Sequence, residues 1–155
     1  MHSACRRPGA QVDDGAFLTL HHRGGTASDL WASAVVRDSG PRFRLVGERG
    51  VYTVSGMDGQ EDALAQGLRP GMPEWGSTPE SRWGLLTDAN GSRAVRAEPG
   101  SYEEFYRQLE AALRQGTPLP VDPASTLPTL DVIDAAVLSA REGRVVELTS
   151  QPADH

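Results

Sequence analysis

The chain has 155 residues, a formal net charge of −6 and 38% hydrophobic residues. This length is enough for one domain with its own core, and the negative charge argues against nucleic-acid binding, because it repels phosphate. No apolar run approaches the ~20 residues that span a membrane. The first residues lack the apolar segment of a signal peptide. Cys5 is the single cysteine, so an internal disulfide is excluded and we expect a cytoplasmic protein.

The positively charged residues are of one type only. All 15 of them are arginine, and the sequence contains no lysine. This composition excludes Schiff-base chemistry, a lysine general base and the lysine of a phosphate-binding P-loop.

Alternating residues and tight turns predict about six strands before residue 97. Residues 1–13 precede them and are expected to form a flexible tail or a linker remnant. The connections are short, and Asn90-Gly91 is a favoured hairpin turn, so neighbouring strands should be antiparallel. The predicted strands cover residues 16–22, 26–36, 43–46, 51–54, 84–87 and 93–96.

Two amphipathic helices follow the strands. Ser101 is the expected N-cap of the first helix, Glu104 completes a capping box with it, and Gly116 ends the helix. Asp122-Pro123 is expected to begin the second helix, since Asp is a good N-cap and Pro suits the first helical position. Gly143 ends it.

The predicted fold class is α+β, with a mostly antiparallel sheet and two C-terminal helices packed on one of its faces. Residues 14–148 should form a single domain. Within it, residues 144–148 are predicted as a final short strand, and 149–155 as a disordered C-terminus.

A long irregular loop rich in glycine and proline is predicted over residues 55–83. Long ordered loops that carry aromatic residues are often functional. Its tryptophans serve either as core anchors or as one wall of a pocket or subunit contact. Its arginines are either solvated or meet an anionic ligand. The candidates for a substrate pocket or an interface, including one tryptophan on the predicted strand 26–36, are Trp31, Arg69, Trp75, Arg82 and Trp83.

No residue pattern indicates a reaction centre. His21 and His22 are adjacent on a predicted strand, so they point to opposite faces and cannot ligate one metal together. There is no glycine fingerprint after a strand and no nucleophile elbow. Asp13-Asp14 is interpreted as a strand lead-in, and Glu103-Glu104 as charge that complements a helix dipole. The sequence therefore predicts no catalytic, cofactor-binding or metal-ligating residue.

Several segments together resemble the C-terminal part of Gfo/Idh/MocA-family oxidoreductases, the relatives of glucose–fructose oxidoreductase and inositol dehydrogenase. The resemblance covers about residues 12–148. It lies in Val12-Asp13-Asp14, the strand through Trp31, residues 43–50, Met57-Asp58-Gly59-Gln60-Glu61-Asp62, Trp75-Gly76 and the run from Gly100 to Val146.

In that family an N-terminal Rossmann domain binds NAD(P), and a C-terminal α+β domain shapes the substrate site and mediates oligomerisation. The resemblance implies that this chain corresponds to the second domain, a fragment of an enzyme that moves a hydride between nicotinamide and a sugar or polyol carbon. The glycine fingerprint, the Glu-Lys-Pro motif and the Gly-Gly-x-x-x-Asp-x-x-x-His motif are missing from the sequence. The family's catalytic residues therefore map onto nothing here, and we expect the chain to be inactive alone.

An alternative hypothesis is a non-catalytic binding or assembly module. Such a module would self-associate as a dimer or other homo-oligomer through the open face of the sheet. A separate Rossmann partner completing the site in trans is a third hypothesis.

Overall fold

The computed structural model describes residues 1–38 and 40–148. In chain order they form β1 (His2–Ala4), β2 (Gly15–His21), β3 (Ala27–Ser33), β4 (Phe43–Gly47), β5 (Gly50–Val54), α1 (Gln60–Ala65), β6 (Gly84–Asp88), β7 (Gly91–Val95), α2 (Tyr102–Gln115) and α3 (Leu127–Glu142). Single 3₁₀ turns span Glu80–Arg82 and Pro123–Thr126.

The chain divides into two compact units. The first comprises Met1–Asp38 and the segment from Val121, and the second comprises Ser39–Pro120. Each unit has its own antiparallel sheet, with the order β1-β2-β3 in the first and β4-β5-β6-β7 in the second. The α+β class is confirmed, and the strands form two antiparallel sheets where one was expected. The single domain over residues 14–148 stays a prediction. Helix α3 belongs to the first unit and α2 to the second.

Helix α3 lies beside strand β2 in the first unit. Along β2, Ala16, Leu18 and Leu20 are half-buried and alternate with exposed residues. Leu18 and Leu20 line a cavity of about 290 Å³ together with α3 residues that include Ala136. Phe17, Thr19 and His21 of β2 line the same cavity, and Ala136 is only 6% exposed, so α3 lies beside β2.

Asp14 holds the first residues of the chain in place. Its buried carboxylate accepts hydrogen bonds from the backbone N–H groups of Arg6 and Arg7, both at 2.8 Å, and a third from Arg7 Nε at 3.3 Å. Strand β1 pairs with β2, with His2 opposite Phe17. This structure differs from the flexible tail predicted for residues 1–13, because backbone amides bound to one carboxylate fix the intervening loop.

These hydrogen bonds lower the pKa of Asp14, with the backbone N–H of Arg7 as the largest cause. A folded pKa below the unfolded value means that the stabilisation is full above the unfolded pKa and is lost as pH falls through the folded pKa. We expect Asp14→Asn to lower Tm at pH 7 by about 5 °C, because the amide nitrogen that replaces one carboxylate oxygen cannot accept the bonds made to that oxygen. Thermal unfolding followed by circular dichroism at pH 7 and at acidic pH measures the effect.

The matched control for this prediction is Asp13→Asn, since Asp13 is the exposed neighbour of the same type. It should leave Tm unchanged, and the gap between Asp14→Asn and the parent chain should narrow in acid. Equal Tm values for the two variants at pH 7 would contradict the assignment.

The second unit contains two hairpins at the predicted positions. Strand β4 pairs with β5, and β6 with β7, all antiparallel. Strand β5 also pairs with β6, with Tyr52 opposite Leu86. A side chain on Gly84 would overlap the ring of Tyr52, so a larger residue at the start of β6 would require that ring to move.

Three local predictions differ from the structure. The strand predicted for 26–36 ends at Ser33, and residues 144–148 form no regular strand. The second helix is preceded by a 3₁₀ turn, although the Asp122 side chain caps it by accepting from Ala124 N at 2.9 Å. Gly116 and Gly143 end their helices in the left-handed conformation, as predicted. The prediction for 149–155 lies outside the described residues.

Candidate functional site

Gln60 links the loop before it to the start of α2. This residue is 1% exposed, the most deeply buried side chain among the described residues. Its Oε1 accepts a hydrogen bond from the backbone N–H of Tyr102 at 2.8 Å, and its Nε2 donates to Asp58 Oδ2 at 2.9 Å. The first N–H groups of a helix have no partner within the helix, so Gln60 supplies the cap from a distant segment.

The predicted capping box was wrong. The Ser101 side chain makes no capping hydrogen bond, and the Glu104 carboxylate pairs instead with Arg107 and Gln108 of the next helical turn. The Glu104 N–H, which the Ser101 side chain would have served, donates to the Ser101 carbonyl at 3.2 Å, and Gln60 serves the N–H of Tyr102.

Two glycines bring the backbone close to Gln60. The N–H of Gly100 donates to the carbonyl oxygen of Gly76 at 2.9 Å. A side chain on Gly76 would overlap the Gly100 carbonyl, and one on Gly100 would overlap Asp58 and Gln60. Only glycine fits at either position. We refer to Asp58, Gln60, Gly76, Gly100 and Tyr102 as the Gln60 cluster.

Trp75 anchors the same region. Its Nε1 donates to Glu103 Oε2 at 2.9 Å. The pKa of Glu103 is lowered, first by its own backbone N–H and then also by Trp75. Beside it, the Tyr102 hydroxyl donates to Glu61 at 2.9 Å, which raises the pKa of Tyr102. The polar atom of Trp75 is therefore used within the unit, as the core-anchor interpretation expects.

A separate group of side chains lines an open cavity of about 480 Å³ where β5 ends and β6 begins. Arg82 donates from Nη2 to the Met57 carbonyl at 3.0 Å and lies 3.5 Å from Asp62 through Nη1. Trp83 donates from Nε1 to the Thr78 carbonyl at 2.8 Å, which fixes its ring. We call this the Arg82 cavity, and its lining is Thr53, Ser55, Gly56, Ser81, Arg82, Trp83 and Leu85.

The structure brings together only two of the five predicted pocket residues, Arg82 and Trp83. Trp75 belongs with the Gln60 cluster, and Arg69 is exposed. Trp31 lies in the first unit, 80% exposed, with its ring edge-on to Phe17 at 6.3 Å between centroids.

Sequence reasoning missed the role of Gln60 and the hydroxyl groups of the Arg82 cavity. No local pattern marks Gln60, because its main-chain partner is 42 residues away. The sequence Thr53-Val54-Ser55 at the end of a predicted strand could have indicated two hydroxyl groups on one side of the cavity, since alternate residues of a strand share a face.

The described residues do not fit a nicotinamide dinucleotide. Such a cofactor binds at a glycine-rich turn between a parallel strand and a helix N-terminus. Every strand pair in residues 1–38 and 40–148 is antiparallel. The same residues contain no group of three metal-ligating side chains. None of their helices combines the length and hydrophobicity needed to cross a bilayer.

Comparison with known proteins defines the class. A family model described as the C-terminal alpha/beta domain of the Gfo/Idh/MocA oxidoreductase family matches residues 1–148. The chain belongs to this family, which confirms the resemblance found in its sequence.

Particular relatives follow from the same comparison. The chain is 32% identical over 147 residues to scyllo-inositol 2-dehydrogenase (NADP(+)) IolW of Bacillus subtilis (strain 168), covering 92% of this chain and 41% of that protein. It is 29% identical over 141 residues to the uncharacterized oxidoreductase YdgJ of Escherichia coli (strain K12), covering 87% and 39%. The solved structure of yvaA from Bacillus subtilis superposes with a TM-score of 0.86 at 30% identity, covering 96% of this chain and 44% of that one. The chain thus spans about two fifths of the length of its curated relatives.

Proposed function

We propose that this chain forms the substrate-side domain of an NAD(P)-dependent oxidoreductase that acts on a sugar, cyclitol or related polyol. The observation that carries the proposal is the match of residues 1–148 to a C-terminal oxidoreductase domain. The proposed substrate class and cofactor are supported by the 32% identical relative, which is named for scyllo-inositol and NADP(+).

The residues present indicate which part of the reaction this chain supports and which part a Rossmann domain supplies. The 155 residues contain no lysine and no glycine fingerprint, so the nucleotide and the catalytic base come from a Rossmann domain, on the same polypeptide or supplied in trans. This chain contributes strand ends and a fixed tryptophan that bind and orient a substrate. Side chains carried by paired strands are held more rigidly than side chains on loops, which suits that role.

The purified 155-residue chain alone should show no dehydrogenase activity. Incubation with scyllo-inositol, myo-inositol or glucose and either NAD or NADP is expected to give no NAD(P)H absorbance, because no residue here holds the nucleotide. IolW assayed in parallel is the positive control. Turnover by the purified chain would contradict the proposed division of labour.

A second candidate function is self-association through an exposed strand surface. Strand β4 lies at the edge of its sheet, and Phe43, Leu45 and Val46 are 57%, 63% and 64% exposed. Exposed apolar edge strands mark interfaces or aggregation sites.

Sedimentation of the chain at high micromolar concentration should therefore reveal a dimer. Leu45→Glu and Val46→Glu place the same charge on opposite faces of β4, and the variant that becomes monomeric identifies the interface. A strict monomer for the parent chain would rule out this role.

A further inference from the structure

We propose that the Arg82 cavity binds a small polyhydroxylated anion, of the class that includes sugar acids and sugar phosphates. The inference rests on the proposed function and deepens it, since it assigns a charge to the ligand of the substrate-side domain. Three features of the cavity support it: its hydroxyl groups, its cation and its aromatic wall.

The cavity contains hydroxyl groups with free hydrogen-bonding capacity. Thr53, Ser55 and Ser81 line it, and within the part of the chain that the structure describes, the three hydroxyls have no hydrogen-bond partner. Each hydroxyl can donate one bond and accept two. Thr53 lies directly opposite Leu85 in the pairing of β5 with β6, so the sheet fixes its position. Polyols present the complementary arrangement of closely spaced hydroxyls.

Arg82 supplies the charge. A guanidinium has five N–H donors, and Arg82 uses one on the Met57 carbonyl and one on a long 3.5 Å contact with Asp62. The Asp62 carboxylate is 70% exposed, so this ion pair is weak. The remaining donors match the oxygens of a carboxylate or phosphate, which arginine binds in a two-pronged geometry.

The side chain of Arg82 is 39% exposed, so its guanidinium is accessible from the cavity. No carboxylate is among the lining residues, although the chain as a whole carries a net charge of −6. Gly56 lies against the guanidinium, with its Cβ position 3.4 Å from Nη2. A larger residue there would crowd the group. Arg82 is therefore the one charged residue in the cavity lining, and the exposed Asp62 carboxylate offsets its charge only in part, because the contact between them is long.

Trp83 provides an apolar wall beside these polar groups. Its ring is oriented by the bond from Nε1 to the Thr78 carbonyl, and Leu85 lies on the same cavity. The C–H face of a sugar-derived chain packs on such a surface while its hydroxyls reach the polar side. The volume of about 480 Å³ lies within the range of small-molecule sites.

Calorimetric titration of the 155-residue chain at low ionic strength tests the proposal. The probes are D-gluconate, D-glucose 6-phosphate, neutral myo-inositol and inorganic phosphate. One of the two sugar anions should bind at least about tenfold more tightly than either comparator, because it alone uses both the cation and the hydroxyls. The better of the two identifies a carboxylate or a phosphate as the preferred group.

Variants locate the binding. Arg82→Gln should weaken the binding of the preferred sugar anion by about tenfold or more. The control is Arg69→Gln, which should leave this affinity unchanged, because Arg69 is an exposed arginine of the same loop that does not line the cavity. Because Arg82 also contacts Met57, Ser81→Ala is the second variant. It removes one exposed hydroxyl without disturbing a strand and should weaken binding severalfold.

The proposal is overturned if neutral and anionic probes bind equally, if none binds, or if both Arg82→Gln and Ser81→Ala bind like the parent chain. These outcomes are distinct from failure of the proposed function. A chain joined to a nucleotide-binding domain that oxidises neutral polyols, while the cavity binds no anion, would overturn only the inference. Anion binding at Arg82, together with a fusion to a nucleotide-binding domain that oxidises neither polyols nor sugar acids, would support the cavity and contradict the oxidoreductase role.

Discussion

Replacing Gln60 with alanine is expected to lower the free energy of unfolding of the second unit by about 3 kcal/mol. The substitution leaves the Tyr102 N–H without an acceptor and removes the donor to Asp58, both at a buried position. It also leaves a cavity that the neighbouring backbone, held by the Gly76–Gly100 hydrogen bond, cannot easily fill. Urea denaturation followed by tryptophan fluorescence measures the change, since two tryptophans lie in this unit.

Gln115→Ala is the matched control for Gln60→Ala. Gln115 is an exposed glutamine at the other end of α2, so its replacement should change the unfolding free energy by less than about 0.5 kcal/mol. If the two variants unfold at the same urea concentration, Gln60 does not cap the helix in solution.

Gly76→Ala is expected to destabilise the second unit by about 4 kcal/mol. Two costs combine. Gly76 has φ = 67°, a left-handed conformation that a side chain disfavours, and the new Cβ would overlap the carbonyl oxygen of Gly100. Because that oxygen belongs to the backbone, it cannot move aside without shifting the start of α2.

Gly71→Ala separates the two costs. Gly71 also has positive φ, at 86°, but nothing lies within 4 Å of its Cβ position. Its replacement should cost only the conformational part, about 1 kcal/mol. A lower urea midpoint for Gly76→Ala than for Gly71→Ala would demonstrate that the backbones of Gly76 and Gly100 approach closely. Equal midpoints would contradict this close approach.

Local elements of the fold were predictable because local chemistry determines them. The apolar stripe from Tyr102 to Leu113 and the stop at Gly116 predict α2 with its observed end. The Asn90-Gly91 turn predicts the β6–β7 hairpin, and Gly91 indeed has positive φ. These features depend on residues close together in sequence.

Non-local features were not predictable from one sequence. The first unit joins Met1–Asp38 to the segment from Val121. Hydrophobic periodicity predicts single elements and does not indicate which distant segments pack together. Asp14 looked like part of a strand lead-in, yet it binds backbone amides of the preceding loop. The sequence of residues 144–148 predicts a short strand, but strand formation also needs a neighbouring partner, and none pairs with it among the described strands.

Only the residues of the candidate site that are adjacent in the chain could be predicted from the sequence. Arg82 and Trp83 are adjacent in the chain, so an aromatic and a cation were expected together. Thr53 and Ser55 join them only because β5 pairs with β6. Trp75 was grouped with Trp83 by loop composition, but its hydrogen bond to Glu103 assigns it to the support of α2.

Dehydrogenase activity of a fusion tests the central claim most directly. The part of IolW that lies outside the segment matched by this chain, joined to the 155-residue chain, is expected to supply the nucleotide site. We predict NADP-dependent oxidation of at least one cyclitol, sugar or sugar acid by the fusion, and none by either half alone. A folded fusion that binds NADPH yet oxidises no member of such a panel would contradict the assignment of this chain as the substrate-side domain of an oxidoreductase.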